Sequence, residues 1–273
     1  MSLGQNPLRI AIAGLGAIGL PVARRLDAGI PGLELRAVAV RDVAKAERHL
    51  ASFTHPVSIV TLPELAQQAD VVVECLPAAV FPQVAFPAVQ AGRVFVPLSV
   101  GALLAYPELP EMAIRHGARI IVPSGAILGL DAVRAAAEGE IRSVKITTRK
   151  PPASLAGAPY LVQHGITIEN LQAPLKVFEG SAREGAQGFP ANVNVAAALS
   201  LAGIGPDRTR LEIWADPHLT RNTHHIEVEA DSARFSMTME GLPSPENPRT
   251  GRLVAQSVIA TLRGLVSPIR IGT

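Results

Sequence analysis

Apolar positions come first as short unbroken runs and later as strict alternation, and that change of period divides the chain. Leu8–Ala13 (LRIAIA) is a short β run closed by Gly14, Gly16 and Gly19. Ile18, Val22 and Leu26 then recur every four residues, which places them on one face of a helix. Leu33–Asp42 predicts a second strand, and its apolar stretch Ala37–Val40 suits burial on both sheet faces. A helix over Val43–Ala51 follows, then a short run Val57–Val60 and a helix starting near Pro63. Strands are expected over Asp70–Leu76 and Val94–Ser99, and helix Glu108–His116 leads into strand Ala118–Val122. Strands alternating with helices imply parallel pairing through right-handed crossovers. The expected fold class is therefore α/β, a doubly wound parallel sheet.

After Pro123 the grammar changes. A helix over Leu130–Ala137 precedes a strand over Arg142–Arg149, which the break Lys150-Pro151-Pro152 ends. A loop-rich stretch leads to a helix over Val193–Leu201. Arg208–Ala215, Thr223–Glu229 and Ala233–Glu240 then alternate with period two, so a second, α+β domain with a mostly antiparallel sheet is expected. Asn247-Pro248 reads as an N-cap with proline at the first helical position. The helix it opens carries the apolar stripe Val254, Val258, Leu262 and Leu265.

Composition narrows the function classes. With 273 residues, 48% hydrophobic and 18% charged, the chain can bury a substantial core and is not a disordered or fibrous sequence. Aromatics at 4% argue against a carbohydrate groove or a single-strand stacking platform. A net charge of +2 without a basic run leaves no electrostatic footprint for nucleic acid. One cysteine cannot form an internal disulfide, and no CxxC or Cys/His pairing suggests a metal site. No apolar run reaches the ~18–20 residues of a membrane span, and the opening MSLGQNPLRI lacks the regions of a secretory signal. A cytoplasmic protein is expected, with no membrane and no nucleic-acid partner.

Gly14-Leu15-Gly16-Ala17-Ile18-Gly19 is a GxGxxG between an apolar strand and an amphipathic helix, the context that gives this pattern meaning. Gly14 permits the tight turn, Gly16 lets backbone approach a pyrophosphate, and Gly19 lets the helix pack on the strand. The helix N-terminus then presents free N–H groups to a phosphate. A Rossmann-type dinucleotide site is the reading. An acid about 20 residues on accepts ribose hydroxyls in NAD enzymes. Asp42 fills that place, but Arg41 precedes it and can pair with a 2′-phosphate, so NAD and NADP both stay open, with Asp42 favouring NAD.

Candidates for chemistry are few. Adjacent strand residues face opposite ways, so His224 falls with Ile226, Val228 and Ala230 on an apolar face, and His225 with Thr223, Glu227 and Glu229 on a wet one. A histidine on the apolar face is either a satisfied core residue or one with a tuned pKa at a cleft edge. His218 reads as a turn residue after Asp216-Pro217. Cys75 reads as a small core residue rather than a nucleophile, because it lies in a cofactor-domain strand. Lys150 or Arg149 can hold a carboxylate, or be solvated charge at a strand end. Asp131 is either a helix cap or a cleft residue.

Four further segments make the pattern specific: Pro123–Asp131 (PSGAILGLD), Thr148–Pro152 (TRKPP), Phe189–Ala196 (FPANVNVA) and Asp216-Pro217 with Arg221–His224. Together they resemble the L-aspartate dehydrogenase family over nearly the whole chain. The resemblance implies a first domain over residues 1–123 and 246–273 that binds NAD or NADP, with the last helix returning to it. It implies a catalytic domain over 124–245. It implies oxidation of L-aspartate to iminosuccinate, which hydrolyses to oxaloacetate and ammonia or feeds quinolinate synthesis on the route to NAD. By motif match His224 is the catalytic histidine, and Ala126 and Asn192 contact the nicotinamide half of the cofactor. A homodimer acting on a small-molecule substrate, with no metal, completes the expectation. Two alternatives remain. One is a related reductase such as dihydrodipicolinate reductase, disfavoured by the lack of an HHxxK helix; the other is a non-catalytic dinucleotide sensor.

Overall fold

The computed structural model describes residues 6–244 and 250–272, so the expected helix start at Asn247-Pro248 lies outside the described residues. In chain order the elements begin β1 (Leu8–Ala13), α1 (Gly19–Asp27), β2 (Leu33–Ala39), α2 (Val43–Leu50), β3 (Ser58–Ile59) and α3 (Leu65–Gln68). They continue β4 (Val71–Glu74), α4 (Pro82–Gln90), β5 (Val94–Pro97), α5 (Val100–Leu103), α6 (Glu108–His116) and β6 (Arg119–Ile120). Next come α7 (Leu130–Ala136), β7 (Ile141–Lys150), α8 (Pro159–Gln163), β8 (Leu175–Ser181), α9 (Ala182–Gly188) and α10 (Asn194–Ala202). The last are β9 (Arg210–Ala215), β10 (Asn222–Ala230), β11 (Arg234–Gly241) and α11 (Arg252–Val266).

These elements form two compact units. One comprises the described parts of Met1–Ser99, Tyr106–Pro123 and Ala255–Arg270; the other comprises those of Val100–Ala105, Ser124–Val254 and Ile271–Thr273.

In the first unit a six-stranded parallel sheet runs β3-β2-β1-β4-β5-β6. This is the Rossmann order, which reverses direction between β1 and β4 and opens a crevice at their carboxyl ends. Ile10–Ala13 and Val71–Val73 are fully buried because helices cover both faces, so these strands read as unbroken apolar runs. Glu74 ends β4 with a fully buried carboxylate. It accepts the N–H groups of Leu76, Leu98 and Ser99 and the Ser99 hydroxyl, at 2.8–3.2 Å. Burial raises its pKa, and those donors oppose the rise. The turn after β4 is tied to the end of β5 through this one side chain.

The second unit holds a five-stranded sheet in the order β11-β10-β7-β9-β8. Its pairs are antiparallel except β7 with β9. The three alternating strands do not lie side by side, because β7 lies between β9 and β10 and pairs in parallel with β9. The loop-rich reading of the middle segment also gives way, since it contains α8, β8 and α9. There Ser181 and Glu184 form a capping box that starts α9. The buried sheet face carries Val144, Ile146, Ile213, Ile226 and Val228, in one core with Val133 of α7, Ala182 of α9 and Leu199 of α10. The short α5 is bound into this unit, its Gly101 N–H donating to Asn194 Oδ1 at 2.9 Å.

Candidate active site

The glycine turn of the first unit has the geometry its sequence requires. Gly14 adopts φ +93°, and a Cβ there would lie 2.8 Å from the Cys75 carbonyl oxygen. A Cβ on Gly19 would sit 1.9 Å from the Gly14 oxygen, so α1 approaches β1 only because that side chain is absent. Gly16 faces open space within 4 Å, the room a pyrophosphate needs. Gly14 and Gly16 line a cleft of about 610 Å³ together with Arg41, Asp42, Leu76 and Pro77. Ala17 and Ile18 form the turn leading into α1. The residues present thus fit a dinucleotide. Asp42 caps α2 by accepting the Lys45 N–H at 2.9 Å, a role the ribose reading did not foresee. Cys75 is half-buried at the wall of the same cleft rather than in the core; burial, and then the neighbouring Glu74 charge, push its thiol well above the ordinary range, which does not suit a nucleophile.

The second unit gathers a polar cluster on the otherwise apolar face of its sheet. Register pairs Thr148 of β7 with His224 of β10, and alternation brings Lys150 to the same face. Thr148 Oγ1 and His224 Nδ1 are 3.0 Å apart. Lys150 Nζ donates to Asn192 Oδ1 at 2.9 Å. Thr148, Lys150 and His224 are 3%, 5% and 3% exposed. Pro151 and Pro152 stop β7 immediately after Lys150, and buried Phe189 and Val193 pin the loop that presents Asn192.

Electrostatics sharpens this cluster. Burial, assisted by the Lys150 charge, pushes His224 from 6.5 down to about 3, so its ring is neutral in ordinary solution. Burial alone pulls Lys150 from 10.5 to about 8. Among the described residues no carboxylate pairs with this ammonium. A buried cation without a counter-charge is a ready partner for an anionic ligand.

The other candidates separate. Arg149, offered beside Lys150, goes to the opposite face: its guanidinium lies 4.7 Å from the Trp214 ring centre and 3.5 Å from the Asp216 carboxylate. His225 also faces away from His224 and meets Thr238 Oγ1 at 2.8 Å. His218 donates its N–H to Asp216 Oδ1 at 3.0 Å, as a turn residue does. Asp131 is exposed in the first turn of α7, and Gly129 holds the cap position, which corrects the cap reading. Ala126 sits half-buried in the loop before α7. Thr148 was missed, although its alternation with Lys150 could have found it. Lys45 and His49 on α2 also line the first unit's cleft and were missed, despite their four-residue spacing.

A Rossmann sheet with a glycine-turn cleft, joined in one chain to a mixed sheet bearing a buried His–Lys cluster, defines a nicotinamide-dependent dehydrogenase class. Residues 14–123 match the family model described as homoserine dehydrogenase, NAD binding domain, and residues 131–265 match aspartate dehydrogenase, C-terminal. An L-aspartate dehydrogenase of Bordetella bronchiseptica is 54% identical over 98% of this chain and 99% of its own length. One from Methanosarcina acetivorans is 43% identical, over 97% and 100%. The chain belongs to the L-aspartate dehydrogenase family. The crystal structure of aspartate dehydrogenase from Thermotoga maritima shares the fold, with a TM-score of 0.75 and 24% identity over 97% of this chain and 99% of that one. No described helix is long and apolar enough to cross a membrane.

Proposed function

We infer that the chain oxidises L-aspartate to iminosuccinate with NAD or NADP, and that water then releases oxaloacetate and ammonia. The observation that carries this reading is the buried Lys150, without a carboxylate partner among the described residues, beside a neutral His224, in a chain whose relatives are L-aspartate dehydrogenases. The first unit binds the dinucleotide through Gly14, Gly16, Ala17, Ile18 and Gly19, with Arg41 and Asp42 at the adenosine end. By motif match Ala126 and Asn192 serve the nicotinamide half. When bound, the nicotinamide supplies the acceptor for the hydride leaving the aspartate α-carbon.

The protein's own groups handle charge and protons. Lys150 anchors a substrate carboxylate, and Asn192 fixes the direction of its ammonium through the Oδ1 contact. Arg149, on the other face and engaged with Asp216, does not take part. Hydride loss needs a neutral amine, so a base must remove a proton from the substrate ammonium. In the tautomer whose Nδ1–H donates to Thr148 Oγ1, His224 presents the Nε2 lone pair for that purpose. Burial and the Lys150 charge depress its pKa in the free protein. A dicarboxylate on Lys150 offsets the second cause and moves the ring toward its working range. Once that proton has been released to solvent, the same nitrogen can take one from the water that attacks the imine carbon. Asp131, exposed on α7, is the weakest of the substrate candidates. A cytoplasmic homodimer is the proposed working form, and a single cysteine suits a reducing compartment.

The test follows reduced-nicotinamide absorbance with L-aspartate forward, and with oxaloacetate plus ammonium in reverse. Turnover with aspartate and not with other amino acids is expected. Tight NADH binding without any turnover in this panel would sink the assignment. His224→Ala should lower turnover ~10²–10⁴-fold, the usual worth of a general acid–base group, while NADH affinity holds. His225→Ala should change little, and equal effects of the two would return His224 to a core role.

A further inference from the structure

The first unit's cleft carries cations where the adenosine ribose belongs. In a Rossmann sheet that ribose lies beyond the carboxyl end of the second strand. Here β2 ends at Ala39, and Arg41 follows at the cleft wall. One face of α2 adds Lys45 and His49, spaced four residues apart, to the same wall. The one acid among the cleft-lining residues, Asp42, has a carboxylate oxygen engaged by the Lys45 N–H at the helix cap. Among the described residues neither Arg41 nor Lys45 has a carboxylate partner.

Three basic groups against one partly engaged acid make a poor acceptor for bare ribose hydroxyls and a good one for a dianion. We propose that Arg41 and Lys45 form a 2′-phosphate subsite, with His49 at its rim, and that it selects NADP over NAD. The guanidinium offers a planar fork to two phosphate oxygens, and the ammonium adds a point charge from the helix side. The proposal rests on the reading that this cleft receives the adenosine half of the coenzyme.

Fragments test it without turnover. Calorimetric titration of the full chain compares adenosine 2′,5′-bisphosphate with adenosine 5′-monophosphate, which differ only in the 2′-phosphate. The bisphosphate should bind at least ~10-fold tighter, equivalent to about 1.4 kcal/mol. Arg41→Met and Lys45→Met should each cut that ratio several-fold, and in the unaltered protein added salt should shrink it. The salt series stands even where a variant fails to fold. Equal affinity for the two fragments, or a ratio unmoved by both substitutions, would overturn the subsite while leaving the adenosine reading intact. Failure of both fragments to bind would overturn the adenosine reading and the subsite with it.

Discussion

Lys150 illustrates how one residue can trade stability for a binding charge. Its pKa is drawn from 10.5 to about 8 by burial, and among the described residues Asn192 Oδ1 is its one hydrogen-bond partner. Near neutral pH the folded protein must carry a cation it disfavours, at a cost of up to about 3 kcal/mol for such a shift. Lys150→Met keeps the apolar stem and removes the charge. It should raise the thermal midpoint at pH 7 while weakening aspartate, seen as a KM increase of ~10–100-fold for a lost charge-assisted contact. The sign of the pH dependence follows from the direction of the shift. Between about pH 8 and 10.5 the unfolded chain retains the Lys150 proton and the folded one has released it. Stability of the unaltered protein therefore rises with pH across that window, and the rise should be absent in Lys150→Met. Parallel urea-midpoint curves for the two proteins would refute this. His224 also stood out in the sequence, because alternation in β10 places it among Ile226, Val228 and Ala230. The sequence did not separate Lys150 from Arg149, since which neighbour faces the core depends on which face of β7 the helices cover.

Among elements, the β1–α1 turn gives the sharpest test, because two of its glycines are needed for different reasons. Gly16→Ala meets nothing within 4 Å, so the protein should fold with an unchanged melting temperature. The added methyl lies at the cleft wall, and NADH affinity by fluorescence titration should drop. Gly19→Ala would put its Cβ 1.9 Å from the Gly14 oxygen, a backbone atom with no side chain to swing aside. It should destabilise by ~1–3 kcal/mol or more, as overpacked sites do. A Gly19→Ala protein as stable as its parent would refute the packing argument. Long periodic elements were legible by themselves: α6 spans Glu108–His116, the bounds its pattern predicts. The short α8 and α9 and the edge strand β8 were not, since α8 is only five residues and β8 buries only Val177 and Phe178 among its apolar residues. A helix of that length has almost no periodicity to show, and an edge strand with one bulged partner does not alternate cleanly.

At the scale of the whole molecule, the last helix belongs to the unit that the first residues begin. Ala255–Arg270 groups with the first unit, and Val258 and Leu262 are fully buried there. Its end reaches the turn before β2, where a Cβ on Gly32 would lie 3.2 Å from Val266. The expected stripe shifts by one step: Ala255, Val258 and Leu262 are buried, whereas Val254 and Leu265 are half-exposed. Each large buried side chain contributes roughly 1.5–3 kcal/mol. Deleting residues 252–273 should therefore lower the melting temperature and remove NADH binding. A truncated chain that binds NADH with unchanged affinity would show that the helix is dispensable to the first unit.

The succession of strands in residues 6–123, the helices α1, α2 and α6, the glycine turn and the wet and apolar faces of β10 followed from the sequence, because each depends on neighbours a few positions away; α4, which carries Pro87 inside it, and the four-residue α5 did not. The placement of β7 between β9 and β10 did not, since strand pairing in a mixed sheet is settled by long-range hydrogen bonds that leave no local period. That pairing is what sets Thr148 opposite His224, and the Phe189–Val193 loop is what brings Asn192 to Lys150. The pKa values of His224 and Lys150 likewise belong to the tertiary structure alone, because they come from removing water, which only the assembled core can do.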